Sequence, residues 1–410
     1  MGIFRLRNKL ALLILFLFLL LFVDYAVAAE LIQQSFEVGS LRIKPTFKYT
    51  TSFTDNVELA NNSDSKYRFT QEVKPGIILQ LPLDRVYIET GYQFDYFMVN
   101  GYNGKAMHSA NGLLRYDLTE NTSIGISDDF SVSPLNFSGD KSFTYNTVGA
   151  SIAQQLNSRV STGLKYAYET YRGPSSDIYS DYDDEGVTWD MSYRLSPLTT
   201  LTPNFDYHLR KFRTANDYYS IKKDYNSYSG QLSISQVLTP RISASVNGGY
   251  TDREYRIGDS GSGATYGTGL SARLTNFSEL KFDYQHAIID TFNPLDKETL
   301  QSGSDFLNNE SIASHLSSEY RQLTTDRITT NLNYKLTDKD IFDFGFTYSW
   351  NLGKSADLVT NAATQELREE SYTIGLGYSR KLLKWASLSV RGDSYCYKSF
   401  GGGLGIDISF

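Results

Sequence analysis

The chain of 410 residues has a single cysteine, Cys396. An internal disulfide framework and a cysteine-rich metal site are therefore excluded. Proline is sparse at 9 residues, methionine at 4 and tryptophan at 3. No Pro/Gly/Ser-rich linker or composition shift divides the chain, although its length alone would lead one to expect two or three soluble domains. Long apolar runs are missing beyond the N-terminal segment and the mean hydropathy is −0.35, which excludes helical membrane spans in that part. A β-barrel in lipid is compatible with both absences, because only alternate strand residues meet lipid. The formal net charge is −7 and no basic face is legible, so a nucleic-acid partner is not expected. A phosphate-cradling glycine loop is absent too; the glycine- and serine-rich stretch at 259–263 reads as a flexible hairpin tip between strands.

What the chain does have is aromatic: 31 tyrosines and 24 phenylalanines. Its first residues set the compartment. Arg5, Arg7 and Lys9 precede an apolar run over residues 11–23, and Ala26-Val27-Ala28-Ala29 follows. That is a basic region, a short hydrophobic core and an A-x-A cleavage site, so residues 1–29 are expected to be a cleaved signal peptide and 30–410 the mature outer-membrane β-barrel. The run is shorter than the roughly 18 residues a spanning helix requires.

An internal repeat organises the rest. Leu81, Leu118, Leu156, Leu195, Leu238, Leu274, Leu336 and Leu382 each lead into a tight polar or proline-containing turn and a new alternating run. The intervals between them hold two strands of about ten residues, a short turn and a longer loop. Eight short turns join sixteen strands, and one more strand at each end makes about eighteen. An even count leaves both termini on the periplasmic side. The alternation is explicit in Val86, Ile88, Tyr92, Phe94 and Tyr96, and again in Phe342, Phe344, Phe346, Tyr348 and Trp350. A β-sandwich would show the same period. The signal peptide, the asymmetry of short turns and long loops, and the terminal strand favour an all-β, antiparallel, up-and-down transmembrane barrel with short periplasmic turns and long extracellular loops.

That terminal strand alternates Leu404, Ile406, Ile408 and Phe410 with Gly405, Asp407 and Ser409. It resembles the C-terminal assembly signal of outer-membrane barrels, with Gly405, Ile408 and Phe410 in the positions that matter; Gly403 stands where a polar residue is usual. The resemblance implies recognition by the barrel assembly machinery.

If the polar parity of each strand faces inward, Arg42, Lys44, Lys48, Lys74, Arg115, Lys165, Arg194, Arg210, Arg273, Lys281 and Arg391 line the pore. The same parity places Glu72, Glu89, Asp95, Glu169, Asp190, Asp206, Asp283, Asp343, Asp393 and Asp407 there. Such a wall is mixed in sign and weakly selective. The net negative charge is then expected from loops such as 176–185, with Asp177, Asp181, Asp183, Asp184 and Glu185, read as a solvated loop. One link, about 293–324, is longer than its siblings. It either folds into the lumen as a gate or lies at the surface, and 305–323 has the spacing of a short helix capped by Asn309.

Catalytic signatures are missing: His108, His208, His286 and His315 match no metal motif. His286 reads as a girdle residue. No enzyme activity, metal or cofactor is expected. The opening strands carry a family resemblance. Pro45-Thr46-Phe47-Lys48-Tyr49, Thr54-Asp55-Asn56-Val57 and Lys74-Pro75-Gly76-Ile77 resemble the start of the beta-barrel porin type 2 family, outer-membrane barrels associated with exopolysaccharide secretion. This resemblance implies a secretion channel with polysaccharide export partners in the periplasm, besides outer-membrane lipid. Alternatives are a general solute-uptake porin, an envelope barrel enzyme, and a structural or adhesive barrel with a closed lumen.

Overall fold

The computed structural model describes residues 36–54, 68–99, 104–134, 142–173, 181–213, 224–256, 261–290, 320–356, 363–382, 386–395 and 399–409. They form β1 (Phe36–Val38), β2 (Leu41–Thr54), β3 (Arg68–Pro82), β4 (Val86–Val99), β5 (Lys105–Thr119), β6 (Thr122–Pro134), β7 (Ser142–Asn157), β8 (Val160–Arg172), β9 (Tyr182–Ser196) and β10 (Thr199–Phe212). The sheet continues with β11 (Tyr225–Thr239), β12 (Ile242–Tyr255), β13 (Gly261–Arg273), β14 (Ser278–Asp290), β15 (Tyr320–Lys335), β16 (Asp340–Ala356), β17 (Ala363–Lys381), β18 (Ala386–Tyr395) and β19 (Ser399–Ser409).

Each strand from β2 to β19 pairs antiparallel with the next, and β19 returns to β2 from Gly401↔Thr54 to Ser409↔Thr46. The result is one closed, up-and-down sheet of 18 strands, which removes the free edges that a sandwich of the same alternation would keep. The remaining strand is a stub. β1 doubles back through Gly39, at φ 63°, and pairs Phe36–Val38 with Ile43 to Leu41. Those β2 residues lie beyond Thr46, the last partner of β19, so the stub covers backbone that the closing strand does not reach.

The leucine repeat has a local cause. In six of the turns the residue after the leucine, Thr119, Asn157, Ser196, Thr239, Thr275 or Thr337, accepts a hydrogen bond from the backbone N–H two residues on. Asn157 Oδ1, for example, takes the N–H groups of Arg159 at 2.8 Å and Val160 at 3.1 Å. A side chain that imitates a backbone turn closes the hairpin in two to four residues. The leucines themselves, such as Leu118, Leu156, Leu238 and Leu336, are exposed on the outer face. Each of these six repeats thus couples a turn cap to a lipid-facing side chain at one end of the barrel. The longer links all lie at the opposite end, the cell exterior in outer-membrane barrels.

Three sequence expectations change. Tyr182 to Glu185 belong to β9 instead of a solvated loop, because Tyr182 and Asp184 are buried and the strand pairs to Tyr171 and Phe212. Gly261 to Gly263 lie within β13, paired with Arg253 to Thr251, instead of at a hairpin tip. Tyr320 to Leu323 begin β15, so no helix extends over them. The signal peptide, Asp55-Asn56, the long link up to residue 319, and Phe410 fall outside the described residues.

Candidate functional site

Cross-strand register divides the barrel cleanly. Ile126, Val148, Trp189, Phe205, Leu232, Val246 and Leu376 are among the large apolar side chains exposed on one parity. In a closed sheet this is a lipid-facing exterior. The opposite parity faces the interior. All buried non-glycine side chains except Asp183 and Asp340 belong to it. Register sets the predicted charges on this same inner parity. Lys48 opposes Lys74, Glu169 opposes Asp184, Asp184 opposes Arg210, and Asp206 opposes Ser229. Glu89 stands opposite Gln80, Arg115 opposite Tyr87, Asp190 opposite Asn204 and Arg194 opposite Thr200. Arg273 pairs with Glu279, Lys281 with Ser271, Asp283 with Gly269 and Asp343 with Asn333. Arg42 and Lys44 continue the inner parity of β2, and Glu72 and Asp95 flank Lys74. Arg391, Asp393, Gly405 and Ile408 stand in register opposite Gly403, Gly401, Ser389 and Ala386.

Burial on the inner face is stratified by height. Near the ends that carry the long links, β7 to β12 contribute a row of buried rings. Phe143 lies 5.5 Å from Tyr171, Tyr171 stacks on Tyr182 at 5.4 Å, and Tyr182 meets Phe212 at 5.8 Å. The Arg210 guanidinium sits 4.4 Å from the Tyr182 ring centre and 5.7 Å from that of Tyr225. Arg253 covers the other side of the row, 4.9 Å from Tyr225, which also meets Tyr255 at 5.6 Å. Cation–π contact of this kind strengthens when water is excluded.

The charges here are matched. Arg210 donates to Asp184 Oδ2 from Nε at 2.8 Å and from Nη2 at 2.6 Å, and His208 Nδ1 stands 3.3 Å from Asp184 Oδ1. Glu169 accepts from Tyr145 at 2.5 Å and Tyr182 at 2.7 Å. Across the lumen face, Lys74 Nζ lies 2.8 Å from Glu72 and 3.3 Å from Asp95, and Gln93 donates to Asp95 at 2.7 Å. The Asp95 side chain is 2% exposed. Only pairing makes such burial of charge tolerable.

Towards the turn end the same face is open. Arg115 is 54% exposed and Lys165 67%, the latter 4.0 Å from Asp190. Further round the barrel runs an uncharged stretch on β11 and β12, with Ser229, Gln231, Ser233 and Ser235 beside Ser243, Ser245 and Asn247.

The histidines do not converge. His108 and His286 face outward, where Tyr92 bonds His108 at 2.8 Å and Asp326 lies 2.8 Å from His286. His286 stacks on Tyr266 at 4.5 Å, and Tyr284 donates to Asp326 at 2.7 Å. The exterior positions that the paired register places around His286 are Tyr266 and Asp326, with Thr268, Thr324 and Ile328 on the diagonals and no serine, so a serine–histidine–carboxylate arrangement is not assembled there. His315 is outside the described residues. Among the described residues no group of three or more His, Cys, Asp or Glu could hold a metal ion.

Sequence reasoning missed the inner aromatics and Arg253, because it named only charged residues as inward-facing and left Arg253 out of them. A signal was present. Arg210-x-Phe212, Arg253-x-Tyr255 and Glu169-x-Tyr171 place an aromatic two residues after a charge, hence on the charge's own face.

A closed antiparallel barrel of this strand number, apolar outside and charged within, defines the class: an outer-membrane β-barrel. Solved structures of that class have the same fold. The FrpB iron transporter of Neisseria meningitidis matches with a TM-score of 0.53 and 8% identity over 86% of this chain. OccK11 (OpdR) of Pseudomonas aeruginosa gives 0.51, 11% identity and 92% of this chain against 98% of its own, and OccAB3 of Acinetobacter baumannii gives 0.50, 10% and 91% against 100%. This chain spans 61% of the FrpB chain. No family model and no curated protein matches the sequence. The comparisons therefore show the fold, a closed outer-membrane-type barrel, and the narrower resemblance to the exopolysaccharide-associated family is not confirmed by them.

Proposed function

We propose that this protein is an outer-membrane channel for the passive diffusion of small polar solutes, a general uptake porin in type. The observation that carries the proposal is the continuous charged and hydroxylated inner face of a closed eighteen-strand barrel. A barrel of that size leaves an aqueous path where smaller ones are filled by side chains. Arg42, Lys48, Arg115, Lys165 and Asp283, all exposed on the inner parity, together with half-buried Asp190 beside Lys165, would contact passing solutes. Because both signs are interspersed, the channel should discriminate weakly between anions and cations. Reconstitution in planar bilayers tests the proposal: discrete conductance steps and a reversal potential near zero in a salt gradient are expected. A correctly folded barrel that never conducts would sink it.

Secretion of exopolysaccharide is a second reading with one feature in its favour. The uncharged wall of β11 and β12, from Ser229 through Ser235 and from Ser243 through Asn247, offers hydroxyl and amide groups along a strand-length track, suited to a neutral sugar polymer. Loss of surface polysaccharide on deletion, restored by the intact chain and not by one carrying Ser233→Lys and Ser245→Lys, would favour this reading. The assembly role of Gly405, Ile408 and Phe410 is likewise a proposal. Removing Phe410 should lower the folded, heat-modifiable fraction in outer membranes without altering the conductance of barrels that do fold.

A further inference from the structure

The inner face carries two populations of side chains, and their distribution along the barrel axis is informative. On β10 the buried residues are Arg210 and Phe212, at the end beyond which the long link begins; on β12 they are Arg253 and Tyr255, and on β11 Tyr225 and Ser227, again at that end. β3, β4 and β5 repeat the arrangement with Thr70, Glu72 and Lys74, with Asp95 and Phe97, and with Met107. No non-glycine inner residue near the turn end is buried among those described. In a uniformly wide pore the exposure of inward side chains would not depend on height.

We infer that the permeability barrier of the channel is a collar in the extracellular third, centred on Tyr182, Arg210, Phe212, Tyr225, Arg253 and Tyr255, and that the periplasmic half is a wide vestibule. This rests on the channel reading above. The chemistry of the collar makes it a sieve for size more than for charge. The charge of Arg210 is met by Asp184 within 2.8 Å, and the collar's other two charges, on Arg253 and Glu169, are of opposite sign, so little net charge is left to sort ions. Packed rings, in contrast, resist displacement by a bulky solute because they interlock across adjacent strands. Small polar solutes would be slowed at this level and meet mainly water below it.

Two measurements test the inference on the full chain. In planar bilayers, Phe212→Ala combined with Tyr225→Ala should raise single-channel conductance about twofold or more, whereas Leu113→Ala combined with Asn333→Ala, on the inner face below the collar, should leave it within the scatter of the parent. The second leaves the collar intact and so does not depend on the folding of a collar variant. With Cys396→Ser as background, Ser235→Cys places one thiol on the exposed part of the β11 inner face, below buried Ser227. A bulky, membrane-impermeant maleimide should react many-fold faster when supplied from the periplasmic side than from outside intact cells. Equal labelling from both sides, or unchanged conductance in the folded collar variant of a conducting parent, would overturn the barrier and leave the channel reading standing. A parent that is silent, with every collar variant silent too, would overturn the channel reading and this inference with it.

Discussion

Arg210 and Lys165 occupy the same inner face two strands apart, yet they do opposite things. Arg210 is 8% exposed, lies over Tyr182 and donates twice to Asp184. Lys165 is 67% exposed, and its nearest carboxylate, on Asp190, is 4.0 Å away. Residue type does not separate them; height does. Desolvated and matched at the mouth, a charge becomes a structural part whose removal leaves its partner stranded. Solvated near the vestibule, it costs little to keep and contributes a field instead.

The strongest way to break this contrast is at Asp184. Replacing it with Ala takes the carboxylate from the buried Arg210 guanidinium and should destabilise the barrel by about 3 kcal/mol, read as a lower urea midpoint in detergent. Asp190→Ala, at an exposed pair, should change stability by less than about 0.5 kcal/mol. Equal losses at the two sites would show that the division of the lumen by height has no energetic meaning.

A second test compares the two faces. Leu232→Lys puts an ammonium on the exposed apolar exterior, in mid-strand, and should cost about 2–4 kcal/mol in bilayers. The adjacent Ser233→Lys points inward by the same period. It should leave stability unchanged and shift the reversal potential towards anions. Were the two costs the same, the face assignment would be wrong for β11.

Carboxylates also stand on the exterior, Asp128 and Asp326 among them. Asp128 lies midway along β6, exposed on the lipid-facing parity between Gly112 and Val148. The Asn146 amide donates to it at 2.9 Å with its nitrogen turned towards the carboxylate. Because that bond replaces only part of its hydration, Asp128→Leu should stabilise the folded barrel by about 1 kcal/mol, measured by refolding equilibria in lipid vesicles. A loss of stability would indicate that this surface meets something other than lipid.

The smallest stability effect is expected where the field effect is plain. Lys165→Glu should leave the melting transition in place and move the reversal potential towards cation preference. A change in folding with no change in selectivity would mean that Lys165 is not solvated by the pore.

The architecture was legible because each of its signals is local. Period-two alternation needs only neighbours in sequence, and the leucine followed by Thr, Asn or Ser is a turn cap that acts within three residues. Six such turns and the two after Leu81 and Leu382, added to the two ends, lead to eighteen strands before any pairing is known, and the inner parity of Lys74, Asp190 or Asp283 follows from the same period. Tertiary structure alone decided what those inner residues do. Asp184 looks like its acidic neighbours in a loop until Arg210, on the adjoining strand, supplies the charge that lets it be buried. Phe143, Tyr171, Tyr182 and Phe212 come from four strands, and only the pairing of those strands in register stacks them into one row. Alternation says which face a side chain takes. How much water remains there depends on how many distant side chains converge at that height, and no period in the sequence encodes that number.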